Sequence, residues 1–244
     1  QEHLALVLRD IIRHFRKIRV AIVKGEEMKS KPSYRHTVKP LLLTVLLLIA
    51  LTSLYSRTYH IKLDGTGDFT TITSGINAAQ SGDTLLVYPG RYIENLKYSG
   101  KDITITSLYR VVNDDKRYIR VTIIDGNNQR TVVLFNSGES HNAILNGFTI
   151  TNGRGEFHFD SQSMGGGIYI RNSSPMISFC HIKNNRAYSG SGIYLFENGN
   201  PLLKGNTISH NHSQEYAAVV ASGGNSHLEF STEWLNSIYL NNGG

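Results

Sequence analysis

Gly165-Gly166-Gly167-Ile168-Tyr169-Ile170 returns 25 residues later as Gly190-Ser191-Gly192-Ile193-Tyr194-Leu195, and Ser174-Pro175-Met176-Ile177 returns after 26 as Asn200-Pro201-Leu202-Leu203. Four further segments align on one isoleucine, at Ile150, Ile182, Ile208 and Ile238, with offsets of 32, 26 and 30 residues. Each unit holds short alternating apolar runs, such as Ile168/Ile170 and Cys180/Ile182, punctuated by Gly, Asn, Ser or Pro. Alternation with a period of two is a strand pattern, and the punctuation is turn chemistry. A unit this short cannot bury its own apolar side. Stacking successive units solves the problem, because like residues pile into columns and each backbone pairs with the coil above or below. The repeat therefore predicts an all-β solenoid of about seven parallel coils, spaced about 4.8 Å apart.

Asn185, Asn211 and Asn241 share one register, with Gly153 in the same place one coil earlier. Asn and Gly tolerate a left-handed backbone, so this register reads as a tight turn with stacked amides. The Leu/Asn spacing of leucine-rich repeats is absent, and propeller blades need longer units. Upstream, Ser74 to Gln80 reads as a short helix capping the first coil, followed by a strand over Thr84–Tyr88 and a turn at Pro89-Gly90. The end at Asn241-Asn242-Gly243-Gly244 falls within a repeat, which leads to the expectation of a longer parent protein.

The formal charge is +6, but it is unevenly placed: residues 1–60 carry 11 Lys/Arg against 4 Asp/Glu, and residues 61–244 carry 14 against 15. A neutral body argues against nucleic acid as a partner, since phosphate contacts need clustered cations on the fold. The apolar run Leu41–Leu51, interrupted only by Thr44, follows Lys29, Lys31, Arg35 and Lys39 and gives way to Thr52, Ser53 and Ser56. That order is the pattern of a secretory signal, and the run is short for a membrane span of about 20 residues. Residues 28–56 are thus read as a signal peptide or an uncleaved N-terminal anchor, the one part of the chain expected to meet a membrane. Residues 1–27 carry Leu4, Leu8, Ile11, Ile12, Phe15 and Ile18 at helical spacing among arginines. They read either as a basic amphipathic helix or as over-extended translation upstream of Met28. Residues 57–244 are assigned to the solenoid. The single cysteine, Cys180, excludes an intrachain disulfide and falls in the register of Phe148, as a small core residue.

Gly65-Thr66-Gly67-Asp68-Phe69-Thr70-Thr71-Ile72, then Ile76-Asn77-Ala78-Ala79 and Val87-Tyr88-Pro89-Gly90-Arg91-Tyr92, resemble the opening of pectin methylesterases. The repeats from Gly165 to Tyr169 and from Ser174 to Asn185 resemble bacterial β-helix repeat proteins of the pectin-lyase-like superfamily. The resemblance covers residues 61–244 and implies a single-stranded right-handed parallel β-helix with an N-terminal capping helix. It leaves activity open, because this superfamily includes lyases, esterases, hydrolases, adhesins and non-enzymes. In the esterases an aspartate pair, an arginine and glutamines follow the coil equivalent to Gly147–Ile150. Here those coils read Gly165–Tyr169 and Gly192–Phe196, with no Asp or Gln. Calcium-binding lyases cluster acids on one face, whereas Asp160 is the only aspartate after Asp125.

Two sets of candidate carbohydrate-binding residues remain. Arg154, Glu156, His158 and Asp160 form the densest ionisable cluster of the body, in an extra loop over 153–163 that accounts for the 32-residue offset. Tyr169 and Tyr194 occupy equivalent outward positions in adjacent coils, as an aromatic strip for sugar stacking or as an ordinary ladder. His141, His181, His210 and His212 share no register, so no metal site and no cofactor are expected. The body is read as a secreted or cell-surface module, carbohydrate-binding or structural within a larger envelope protein, and non-catalytic in itself. Its partner would be a polysaccharide or cell-envelope glycan. The alternative is the N-terminal part of a polysaccharide lyase, esterase or hydrolase whose acids lie in further coils.

Residues 28–60 fused to a reporter that is active only outside the cytoplasm should deliver it. A reporter held inside would remove the signal reading of the Leu41–Leu51 run.

Overall fold

The computed structural model describes residues 56–157, 162–215, 217–223, 229–230 and 237–239. The signal or anchor segment, the amphipathic stretch before it and the Asn241–Gly244 end lie outside the described residues. In what is described, the chain turns through three short strands per coil, and equivalent strands of successive coils pair in parallel. The first sheet takes Thr58–Ile61, Thr84–Val87, Thr104–Ser107, Ile144–Asn146, Met176–Ser178, Leu202–Lys204 and Glu229–Phe230. The second takes Gly90–Ile93, Thr122–Asp125, Thr149–Thr151, His181–Lys183, Thr207–Ser209 and Ser237–Tyr239. The third takes Leu96–Lys97, Val133–Phe135, Ile168–Arg171, Ile193–Phe196 and Val219–Ser222. The expected solenoid is present, and its seven-stranded first sheet matches the expected coil number.

The registers read from sequence are those of the fold. Ile182 sits between Ile150 and Ile208, and Ile208 pairs with Ile238. Ile124 and Tyr92 extend the column toward the N-terminus. Ile168 pairs with Ile193, and Met176-Ile177 with Leu202-Leu203. A parallel column forms on the first sheet from Leu85, Ile105, Leu145, Ile177 and Leu203, all fully buried. Inward apolar side chains thus stack on their equivalents, and the cross-coil contact that stabilises each sheet repeats in every turn.

The corner between the second and third sheets corrects one expectation. The left-handed residues there are Asn152, Asn184 and His210, with φ of 57°, 55° and 56°, and not the asparagines that follow them. Asn185 and Asn211 point inward, are buried, and work as hydrogen-bonding groups. Asn185 Oδ1 accepts the Gly153 amide N–H at 2.8 Å, and its Nδ2 donates to the Ile150 carbonyl at 3.1 Å and to Asn211 Oδ1 at 3.0 Å. Asn211 Oδ1 accepts the Asn185 N–H at 3.0 Å, and its Nδ2 donates to the Ile182 carbonyl at 2.9 Å. The amides therefore satisfy the Gly153 and Asn185 N–H groups, which the corner takes out of the sheets, and add bonds to the Ile150 and Ile182 carbonyls of the second sheet. Glycine ends this row because a Cβ at Gly153 would collide with the Gly166 carbonyl oxygen.

Two helices attach to the coils. Helix α1, Ile72–Ala78, lays Ile72, Gly75 and Ile76 on the first coil. Glu94 accepts the Ile72 and Thr73 N–H groups at its N-terminus, and Lys101 Nζ donates to the Ile76, Asn77 and Ala79 carbonyls at its other end. An anion at the start and a cation at the end suit the helix dipole, and both come from the coil beneath. Helix α2, Arg117–Val121, belongs to an insertion between the first and second sheets that the repeat pattern gives no sign of. Thr149 Oγ1 ties it down by donating to the Ile119 carbonyl at 2.8 Å.

Asn185→Ala should lower the free energy of unfolding by about 2–3 kcal/mol, because it leaves the buried Gly153 N–H without its acceptor and removes the bonds to Ile150 and Asn211. Asn184→Ala, which removes the short polar side chain that lets asparagine tolerate a left-handed backbone, should cost less, about 1 kcal/mol, and Asn184→Gly close to nothing. Urea unfolding of the three variants checks the order, and equal losses at the two positions would contradict it.

Candidate functional site

The corner that buries Asn185 and Asn211 exposes the residues on either side of them. Two positions after each inward isoleucine the chain presents Asn152, Asn184 or His210, and four positions after it Arg154, Arg186 or His212. In the preceding coil, which is longer at this corner, Asn128 and Arg130 take these places. The backbone stacks without a break: the Asn128 N–H donates to the Asn152 carbonyl at 2.7 Å, and Arg154 N–H to the Arg130 carbonyl at 2.9 Å. Arg186 N–H donates to the Gly153 carbonyl at 2.9 Å, and Arg186 pairs in register with His212.

A groove of about 730 Å³ runs here, lined by the four asparagines Asn128, Asn152, Asn184 and Asn185 with Arg186, His210 and His212. Asn152 Nδ2 donates to Asp125 at 3.0 Å, so that Asp125, which also holds Arg91, fixes this amide from below. Asn184, Arg186, His210 and His212 are exposed. The groove thus offers amide, imidazole and guanidinium groups, one pair of positions per coil, spaced by the stacking distance of about 4.8 Å. Donors and acceptors repeated at that interval suit the hydroxyl-bearing rings of a linear polymer. The repeat already contained this signal: the offsets of 32 and 26 that align the isoleucines also align the residues two and four positions on. Mixed residue types hid it, because Asn is replaced by His and Arg by His in the coil of Ile208.

The residues singled out from sequence fare differently. Arg154 is exposed beside this groove. Glu156 lies in a hairpin of Glu156–Phe157 with Ser163–Met164 and pairs with Arg130 at 3.2 Å. His158 and Asp160 lie outside the described residues. Phe157, which the sequence reading passed over, is 63% exposed next to this pair.

Tyr169 and Tyr194 require a correction. Their rings do stack, with centroids 5.9 Å apart and planes at 8°, but they are only 4% and 7% exposed. Stacked coils turn ring faces along the stack, each toward its neighbour, so the faces that a sugar would cover are already covered. The chain also folds back over them, and a Cβ on Gly165 or Gly190 would lie 2.8 Å from the Cβ of Tyr169 or Tyr194. Burial pushes the Tyr169 hydroxyl up to about 12. The pair is a structural ladder.

Buried and half-buried carboxylates hold the scaffold together. Glu139 accepts the Gly100 and Ser137 N–H groups and the Ser173 hydroxyl, and Asp83 accepts the Arg57 and Gln80 N–H groups. Asp102 accepts from the Ser140 N–H and hydroxyl. Among the described residues, no three His, Cys, Asp or Glu side chains are grouped to hold a metal ion. A second cleft, of about 520 Å³, lies under the insertion between Tyr109, Lys116, Arg120 and Phe179, with Cys180 at its base. His181 lines the same cleft; burial, with Lys183 and His210 nearby, holds its imidazole below the usual value.

A family model described as the right handed beta helix region matches residues 106–243. No curated protein matches the chain.

Burial drives the Cys180 thiol from 9.0 up to about 12, so the folded state favours the neutral form. The stability this contributes is complete below about pH 9 and is lost as pH rises toward about 12. At about pH 8 the folded protein should leave a thiol reagent unreacted and should release its one equivalent after denaturation. Rapid reaction of the native protein would place the thiol at the surface.

Proposed function

The chain belongs to the right-handed β-helix family, and from that premise we propose that it is a secreted or cell-surface module that binds carbohydrate without cleaving it. The observation that carries this reading is the groove at the corner of the second and third sheets, where Asn152, Asn184 and His210 stand at one position in three consecutive coils. A linear polysaccharide laid along the stack would meet the same chemistry at each step. Side-chain amides suit sugar hydroxyls because each offers both a donor and an acceptor. The non-catalytic part of the reading rests on the carboxylates. The carboxylates nearest the groove are occupied, Asp125 by Asn152 and Arg91 and Glu156 by Arg130. General acid and base catalysis needs carboxyl groups that can reach a substrate. Export is supported by the order of charge, apolar run and small residues over 28–56.

The test is pull-down of the full chain on a panel of immobilised linear polysaccharides, together with an assay for new reducing ends and unsaturated sugars. Asn184→Gly with His210→Gly removes both side chains while keeping residues that accept the left-handed backbone. Affinity for the bound polysaccharide should fall about tenfold, equivalent to ~1.4 kcal/mol or one or two net hydrogen bonds. Undiminished binding would move the site away from this corner, and product release by the parent protein would overturn the non-catalytic reading.

A further inference from the structure

The outer row of the same corner carries a charge pattern that a neutral sugar does not call for. Arg130, Arg154, Arg186 and His212 succeed one another over four coils, all exposed, on a stack held in register by backbone hydrogen bonds. General basicity does not account for the row, since residues 61–244 hold 14 cations against 15 acids. The groove beside it is lined by amide, guanidinium and imidazole side chains, with no carboxylate among its lining residues. Among the described residues, Arg154 and Arg186 make no salt bridge, whereas Arg91, Arg117 and Arg171 each have one. Arg130, at the start of the row, holds the Glu156 carboxylate at 3.2 Å. The chain thus fills the first position of the row with an oxyanion of its own.

We infer that the carbohydrate taken by this corner is a linear polyanion with acidic groups repeating along its length, bound along the stack so that Arg154, Arg186 and His212 each meet one of them. The inference rests on the carbohydrate-binding reading and adds the charge of the ligand and its direction. Guanidinium groups match carboxylate and sulfate oxygens in a two-pronged geometry, so either acid serves the same row. The inner row of Asn152, Asn184 and His210 would face the ring hydroxyls, and the outer row the charges. Spacing makes the arrangement selective: acids repeating at about 4.8 Å, or at a multiple of it, meet the cations in step, and acids at other intervals do not.

The full chain is tested against four polymers: polygalacturonate, dextran sulfate, neutral dextran and single-stranded oligothymidylate. The variants are Arg154→Gln with Arg186→Gln, Arg154→Lys with Arg186→Lys, and Lys97→Gln on the third sheet as a surface control. One or both acidic polysaccharides should bind, more tightly than dextran. The double Gln variant should lose tenfold or more and show a shallower dependence on salt, by about one and a half units in the log–log slope for two lost charges. The Lys variant should recover part of the loss, and Lys97→Gln should bind as the parent does. The comparison of polygalacturonate with dextran sulfate identifies the acid. Equal binding of dextran and the acidic polymers, or full binding by the double Gln variant, would overturn the inference and leave the carbohydrate reading standing. Tighter binding of the oligonucleotide than of any polysaccharide would overturn it in favour of nucleic acid. Failure of all the polysaccharides to bind would overturn both.

Discussion

Each coil of this protein is completed by the next. Strands of two to four residues are too short to persist alone, and a single turn of three strands encloses no core. Parallel pairing in register supplies both requirements: backbone groups of one coil bond to those of the next, and each inward side chain lands on its equivalent. Register then dominates everything else, since a slip of one residue would turn the inward isoleucines outward. The buried asparagines reinforce that register. An amide at Asn185 bonds correctly only if Gly153 lies below it and Asn211 above it.

How much of this was legible in the sequence depended on residue type. Where stacking demands similar residues, as along Ile150, Ile182 and Ile208, the repeat is visible and the registers follow from subtraction. The inner asparagines are visible for the same reason, and their amides stack as expected, but the left-handed turn belongs to the residue before each. Both Asn184 and Asn185 are asparagine, and only coordinates show that the first supplies the left-handed turn and the second the buried amide. Segments that break the period were opaque. Among the described residues the insertion holding α2 has no equivalent in another coil, and nothing in its local pattern says which sheets it spans.

The functional surface was harder to read because solvent-facing positions tolerate substitution. Asn152, Asn184 and His210 are equivalent by position and not by type, so a search for like residues passes them by. For the tyrosines at 169 and 194 identity left an exposed strip and an ordinary ladder both open, and burial with ring stacking favours the ladder. In a solenoid, sameness between coils marks the interior, and variation at a fixed position marks a face available for function.

The direction of the bonds between coils has a mechanical consequence. Backbone and asparagine hydrogen bonds both run along the stack, so tension applied in that direction loads the coil interfaces in series. Strength is then set by the weakest junction, and lengthening the array adds extensibility without adding resistance. The asparagine row offers side-chain bonds on one side of Gly153 only, since the glycine carries no amide to pass on to the coil before it. At this corner the earlier junction is bridged instead by Asn152 on Asp125 and by Arg130 on Glu156, so the load there passes from buried amides to carboxylate contacts.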